Sequence, residues 1–279
     1  MNSFYFPFVY LFRSRLKTKM NKISWFIIYI IPIYFIGLSL SNHDILNYSF
    51  LFALSIMIFN SVYELGYLEN DIQTTKNETN PTYRIDKKTY DFLDKNYTKI
   101  FIIKIIIIIL ILTFIYLLFK NEVYIKDFIF GLVTIRFFFY LHNKIRNKLN
   151  IITFFLLSTT KYILPLILLI NINELLSIWY ILFLFPILRS VEHSTKIKYK
   201  LNKWASIVGN HDLFRIKYYF IIFLIALYYY FSNYIGLIFL IFILYFLLYR
   251  TATYILVNKN IYKRTNTGQS ELSMKGKEN

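Results

Sequence analysis

Long, uninterrupted runs of apolar residues, joined by short polar stretches, make up most of the chain from residue 23 onwards. Eight of these runs approach the ~20 residues that an α-helix needs to cross a bilayer. The predicted spans are 23–40, 45–68, 99–119, 127–142, 149–170, 173–188, 216–233 and 234–257. Because the runs are apolar rather than amphipathic, the pattern predicts an all-α fold, a polytopic integral membrane helical bundle with eight transmembrane helices.

The flanking segments are predicted to stay outside the bilayer core. In residues 1–22, the apolar stretch Phe4–Phe12 is too short to cross and is followed by five basic residues, so we expect this segment to lie in the interface. A cleaved signal peptide has its basic residues before the apolar run, and this segment has the reverse order. Residues 258–279 form a polar, basic C-terminal tail.

The basic residues are distributed very unevenly between the two sides of the predicted bundle. Of the 32 Lys and Arg residues, 27 fall in the two terminal segments and in loops 69–98, 143–148 and 189–215 and their flanks, whereas the alternate loops hold 2. Such loops face the cytoplasm in membrane proteins. We therefore expect a protein of the bacterial inner membrane with both termini cytoplasmic, its basic side against anionic lipids.

The composition excludes several classes of function. The chain is 57% hydrophobic and has no cysteine, which argues against a soluble enzyme and rules out thiolate metal sites, disulfides and catalytic thiols. No Gly-rich nucleotide-binding motif occurs. The net charge of +17 is assigned to topology and to anionic phospholipid, so nucleic acid is not an expected partner.

A stripe of polar residues enters the membrane along the second predicted span. Asn60, Glu64, Tyr67 and Asp71 follow one another at helical spacing and therefore share one face. An ionisable residue at the centre of a span costs roughly 2.5–3.5 kcal/mol, so Glu64 should face a cavity or a partner. One interpretation is that Glu64 only locks helices together by pairing with Lys104 or Arg136.

Two further polar clusters follow the fourth and sixth predicted spans. They are the stretches 140–148, with Tyr140, Lys144 and Arg146, and 189–200, which includes Glu192, His193 and Lys196. Carboxylates from one loop, with His and Lys from another, can hold a divalent cation and a phosphate between them. For each lysine alone, ordinary cytoplasmic loop charge is the simpler interpretation.

The first polar cluster resembles a motif of the UbiA-type intramembrane prenyltransferases, N-D-x-x-D-x-x-x-D after the second helix. Here the sequence reads Asn70-Asp71, with Thr74 in the place of the second aspartate and Glu78 in the place of the third, followed by Arg84. The family carries a second aspartate-rich motif after its sixth helix, where this chain has Glu192 and His193. Family members usually have nine helices, so a count of nine also stays open.

The resemblance implies a transferase that acts on a polyprenyl diphosphate or polyprenyl phosphate, assisted by Mg²⁺, at the cytosolic membrane face. It implies a metal and catalytic set of Asn70, Asp71, Glu78 and Glu192. It implies that the isoprenoid lipid substrate contacts a second set: Glu64, Tyr67, Arg84, Tyr140, Lys144, Arg146, Lys161, His193 and Lys196. The donor, the acceptor and the oligomeric state stay open.

Two other classes of function fit the same sequence. A lipid or small-molecule transporter would also carry charged residues inside its spans, although no internal repeat is apparent. A non-catalytic membrane scaffold would result if the metal ligands had been lost. Metal-dependent turnover of a labelled prenyl diphosphate or phosphoribosyl donor separates these classes.

The charge distribution makes a direct prediction about topology. Reporter fusions at Asn80, Asn147 and Asn202 should all report the cytoplasm, because each lies in a basic loop. Paired alkaline phosphatase and fluorescent protein fusions measure this. A reporter that reads the opposite side at any of the three positions contradicts the span list.

Overall fold

The structure is a computed structural model. It describes residues 2–77, 83–119, 123–171, 174–175 and 179–261. These residues are helical in most of their length, and within those ranges no strand is found. The predicted all-α fold class is therefore confirmed.

The helices follow one another with short connections. They are α1 (Val9–Ser14), α2 (Lys19–Trp25), α3 (Ile31–Leu40), α4 (Ile45–Leu68), α5 (Lys87–Lys95), α6 (Tyr97–Phe119), α7 (Ile125–Lys144), α8 (Asn150–Ile167), α9 (Ile181–Leu184), α10 (Pro186–Ser194), α11 (Asn202–Val208), α12 (His211–Phe231) and α13 (Leu237–Asn258). A π-helical turn, Phe26–Ile30, joins α2 to α3, and a second one, Glu69–Gln73, extends α4.

Six helical stretches among the described residues are long and apolar enough to cross a membrane, which indicates a membrane protein. They are Lys19–Leu40, Ile45–Asn77, Tyr97–Phe119, Asn150–Ile167, His211–Phe231 and Leu237–Asn258. The predicted count of eight or nine spans is not confirmed. Span 127–142 corresponds to α7, which includes Lys126, Asp127 and Arg136. Span 173–188 falls partly outside the described residues, and its described part consists of short helices that meet at Phe185.

The chain forms two compact units. The first ends at Ile207 and the second begins at Val208. In the second unit, α12 and α13 pack as a pair, with the rings of Tyr219 and Phe246 stacked at 5.3 Å between centroids. The polar clusters lie in the first unit.

Helix α4 is the central element of the first unit and packs against α3, α6, α7 and α8, while α8 also packs against α10. The close approach of α4 to α7 requires Gly66, because a Cβ atom there would lie 2.3 Å from Cγ of Phe139. The end of α4, the start of α6, the end of α7 and the start of α8 meet on one side. We call this side the polar end.

The N-terminal segment packs against the protein at the polar end. Phe4 and Tyr10 are fully buried and join a core cluster with Leu68, Ile72 and Leu93. The apolar side of the first part of residues 1–22, the segment predicted to lie in the interface, is buried against α4 and α5. This contact brings the residues of α1 next to the polar stripe.

The polar stripe is held by a buried ion pair. Glu64 Oε2 lies 2.7 Å from Lys104 Nζ on α6, and both side chains are at most 1% exposed. The other oxygen of Glu64 accepts a hydrogen bond of 2.7 Å from the backbone N–H of Leu11, and Lys104 also donates to the carbonyl of Phe6. Of the two partners expected for Glu64, the structure pairs it with Lys104, whereas Arg136 pairs with Glu69 at 2.7 Å.

The ion pair makes a prediction about stability. Lys104→Met leaves a buried carboxylate without its cation, which typically costs about 3–5 kcal/mol. We expect a large drop in the unfolding temperature of the detergent-solubilised protein. The double variant Glu64→Met with Lys104→Met should recover much of the loss, because no buried charge remains.

Lys76→Met is the matched control for that experiment. Lys76 and Asp94 form an ion pair with both side chains partly exposed, so its loss should leave the unfolding temperature nearly unchanged. If Lys104→Met behaves like Lys76→Met, the buried pair does not stabilise the polar end.

Candidate functional site

The motif residues Asn70 and Asp71 lie in the π-helical turn Glu69–Gln73 at the polar end. A single π-helical turn adds one residue to a helix and is frequently found at functional sites. Here it keeps Asp71 buried although α4 has ended at Leu68. The stripe predicted from the spacing of Asn60, Glu64 and Asp71 therefore stays inside the protein along its length.

The Asp71 carboxylate is surrounded by hydrogen-bond donors. Tyr10 Oη donates to Oδ2 at 2.7 Å, and Arg15 Nη2 lies 2.9 Å from Oδ2 and 3.0 Å from Oδ1. Arg84 Nη1 donates to Oδ1 at 2.8 Å and Asn70 Nδ2 at 3.1 Å. The Asp71 side chain is only 2% exposed. We call these five residues the Asp71 cluster, and its two guanidinium groups exceed its one carboxylate by one positive charge.

The two arginines of the cluster have different surroundings. The guanidinium of Arg15 lies over the ring of Tyr67, 4.4 Å from its centroid, and its Nη1 is buried without a hydrogen-bond partner. A buried donor left without a partner costs about 1–3 kcal/mol. The side chain of Arg84 is 40% exposed. Burial and the nearby Asp71 carboxylate raise the pKa of Tyr10, which therefore stays a hydrogen-bond donor.

The described residues of the expected magnesium set do not fit Mg²⁺ as they are arranged. Both oxygens of Asp71 accept from cationic or hydroxyl donors, and Asn70 turns its amide nitrogen towards Asp71. Glu192 Oε2 pairs with Arg189 at 2.7 Å. Within the part of the chain that the structure describes, no group of three His, Asp or Glu residues could hold a metal ion. Glu78 lies outside the described residues.

A second polar cluster forms where α7 ends and α8 begins. The side-chain amide of Asn150 donates to the carbonyls of His142 and Ile145, at 2.8 and 2.7 Å, and so caps the end of α7. These bonds orient Oδ1 of Asn150 towards Tyr199 Oη at 2.6 Å and Lys198 Nζ at 3.2 Å. The end of α7, the loop that follows it and the loop that holds Lys198 and Tyr199 therefore meet at the side-chain amide of Asn150.

His193 completes this Asn150 cluster, which consists of Asn150, His142, His193 and Tyr199. Nε2 of His193 lies 2.6 Å from Tyr199 Oη, and its ring stacks on Phe154 at 3.9 Å between centroids. Burial, then the charges of Lys196 and Lys198, lower the pKa of His193 to about 2, so the imidazole is neutral. His193 was expected to contact substrate, and it lies at the centre of the cluster.

Basic side chains gather around the Asn150 cluster. Burial raises the pKa of Tyr199 to about 12, against the opposing charge of Arg146. Lys196, Lys198 and Arg146 are all exposed at the surface of this cluster. Two of the three, Arg146 and Lys196, belong to the set of residues expected to contact the lipid substrate. The structure therefore brings cations from two separate loops to one buried polar centre.

The remaining expected site residues lie elsewhere. Lys144 donates to Tyr140 Oη at 3.3 Å, and both side chains are exposed. Lys161 on α8 places its ammonium 4.5 Å from the ring centroid of Tyr29, which is buried. Lys161 makes no hydrogen bond or ion pair with its side chain within the described ranges. Its ammonium therefore faces an aromatic ring, from a helix long enough to cross the membrane.

Several residues of both clusters were missed in the sequence. Arg15 was assigned to ordinary loop charge and Tyr10 to a short apolar stretch, and nothing in their local pattern indicates Asp71 as a partner 56 and 61 residues away. Asn150 did leave a signal. It is a polar residue at the start of the predicted span 149–170, where a hydrogen-bonding role at a helix end was a reasonable expectation.

The depressed pKa of His193 predicts how stability depends on pH. Below about pH 6.5 the unfolded chain binds a proton at this histidine and the folded protein does not. The free energy of unfolding is therefore unaffected by this residue above pH 6.5 and decreases as the pH falls below that value. Each pH unit below 6.5 should cost up to ~1.4 kcal/mol from this residue. His193→Gln should therefore flatten the fall in unfolding temperature between pH 7 and pH 5. An unchanged slope contradicts the neutral, buried imidazole.

Comparisons with family models, with curated proteins and with solved structures found no match to this chain. The likeness to the UbiA-type enzymes consequently depends on the motif residues Asn70–Arg84 and on the loop positions.

Proposed function

We propose that this chain is a UbiA-like membrane transferase that acts on a polyprenyl diphosphate or a polyprenyl phosphate at the cytosolic membrane face. The observation that carries the proposal is the convergence of Arg146, Lys196 and Lys198 on the buried Asn150 cluster. A group of cations beside neutral hydrogen-bonding side chains suits a phosphate better than a carboxylate-bound metal. The predicted cytosolic location of these loops is where a phosphorylated lipid presents its headgroup.

The lipid part of the substrate would lie against the aromatic interior of the first unit. Tyr63 packs against Tyr67 and Phe139, with ring centroids 5.0 and 4.7 Å apart, next to the polar end. Deeper along the helices, Tyr29 lies beneath Lys161. An isoprenoid chain needs apolar surroundings beside a charged entrance, and these aromatic side chains lie next to the Asp71 cluster.

The chemistry of the proposed transfer is stabilisation of a leaving group or of an attacking phosphate. In prenyl transfer, the bond between the allylic carbon and the diphosphate oxygen breaks while the acceptor bonds to that carbon. The displaced diphosphate carries the negative charge that develops, and preoriented cations stabilise it most effectively in a site with little water. With polyprenyl phosphate as the acceptor, the same cations would orient a phosphate oxygen for attack on the anomeric carbon of a phosphoribosyl donor, while the bond from that carbon to the donor's diphosphate breaks and diphosphate leaves. The described donors do not fit Mg²⁺, so both routes would rely on the protein's own cations.

A turnover experiment tests this proposal. The full chain in lipid nanodiscs should transfer label from a radiolabelled prenyl diphosphate, or from a phosphoribosyl donor to polyprenyl phosphate. Lys198→Gln should lower kcat/KM by about tenfold or more, since it removes a cation that also positions Asn150. Lys148→Gln, an exposed lysine of the loop that holds Arg146, is the matched control and should keep full activity.

The alternatives predict different outcomes. A scaffold shows no transfer with any phosphorylated isoprenoid, and a transporter moves a labelled lipid between leaflets without altering it. Equal activity of Lys198→Gln and Lys148→Gln would place the reaction away from the Asn150 cluster and would remove the observation that carries the proposal.

A further inference from the structure

We propose that Arg15 and Arg84 take the place of Mg²⁺ at the first motif and form a metal-independent binding site for the phosphate of the lipid substrate. The identity of the lipid rests on the proposed function, whereas the binding of phosphate rests on the Asp71 cluster alone. Asp71 is then a positioning residue that orients two guanidinium groups and does not ligate a metal.

The oxygens of the Asp71 carboxylate already accept hydrogen bonds from the protein. A carboxylate that holds Mg²⁺ offers its oxygens to the ion, because Mg²⁺ takes oxygen ligands in a nearly octahedral shell. Here Tyr10, Arg15, Asn70 and Arg84 all direct donors at Asp71. The carboxylate is satisfied by the protein itself.

Arg15 and Arg84 direct only some of their N–H groups at Asp71. Each guanidinium carries five N–H groups, and Arg84 directs Nη1 at Asp71 while its side chain stays 40% exposed. Arg15 holds Nη1 buried without a hydrogen-bond partner. Two cations against one carboxylate leave one positive charge, and the guanidinium fork matches the geometry of phosphate oxygens.

Arg15 is held in place by contacts of the N-terminal segment and of its own guanidinium. Arg15 comes from the N-terminal segment, which is anchored where Glu64 accepts the N–H of Leu11 and Lys104 donates to Phe6. The Arg15 guanidinium also lies on the ring of Tyr67. Because both the backbone and the guanidinium of Arg15 are held in place, this side chain loses little conformational freedom when an anion binds.

Isothermal titration of the purified full chain with inorganic pyrophosphate tests the proposal. The titration is done in the Lys196→Gln, Lys198→Gln background, so that the remaining binding reports the Asp71 cluster. We expect the same Kd, within about threefold, in EDTA and in excess Mg²⁺. Arg84→Gln should weaken binding about tenfold or more, and Arg15→Gln likewise, with partial recovery in Arg15→Lys because the charge returns.

Arg13→Gln is the matched control, because Arg13 lies two residues before Arg15, at the end of α1, with its guanidinium over Phe4. This variant should bind pyrophosphate normally. Arg84 is partly exposed, so Arg84→Gln tests the site even if Arg15→Gln unfolds, and the unfolding temperature of each variant identifies that case. Binding that disappears in EDTA and returns with Mg²⁺ overturns the proposal, as does equal loss in Arg13→Gln and Arg84→Gln. If pyrophosphate binds in EDTA but no isoprenoid is transferred, only the proposed function fails.

Discussion

The polar end depends on how one buried carboxylate is neutralised. Glu64 lies within an apolar bundle, where an unpaired charge is not tolerated, and it takes its cation from Lys104 on α6 and a hydrogen bond from Leu11 on α1. The same lysine holds the carbonyl of Phe6. Because this one contact joins α4, α6 and the N-terminal segment, it also determines where Tyr10 and Arg15 lie relative to Asp71.

The two polar clusters hold their cations differently. In the Asp71 cluster, Arg15 and Arg84 both face a carboxylate, and Arg15 also rests on an aromatic ring, so its charge is held in a fixed direction. Around the Asn150 cluster, the cations are exposed and surround neutral groups, and one amide ties the ends of α7 and α8 to Tyr199.

The sequence predicted the features that depend on local periodicity. The apolar runs, the all-α class and the shared face of Asn60, Glu64 and Asp71 follow from helical spacing alone. The choice between Lys104 and Arg136 as the partner of Glu64 does not, because it depends on which neighbours α4 acquires. Span 173–188 is not confirmed for a related reason, since its apolar composition does not reveal the break between α9 and α10 at Phe185, where α10 begins with Pro186. Long-range contacts such as Arg15 with Asp71 leave no local pattern to detect.

The separation of Phe6 and Lys104 in the chain has a consequence for biogenesis. They lie 98 residues apart, so at ribosomal rates of about 5–20 residues per second Lys104 is made roughly 5–20 s after Phe6. During that interval α4 and α5, against which the N-terminal segment packs, are already made, but the contacts of Lys104 with Phe6 and Glu64 cannot form. The docking of the N-terminal segment is therefore completed only when α6 is in place, and until then Glu64 lacks its cation.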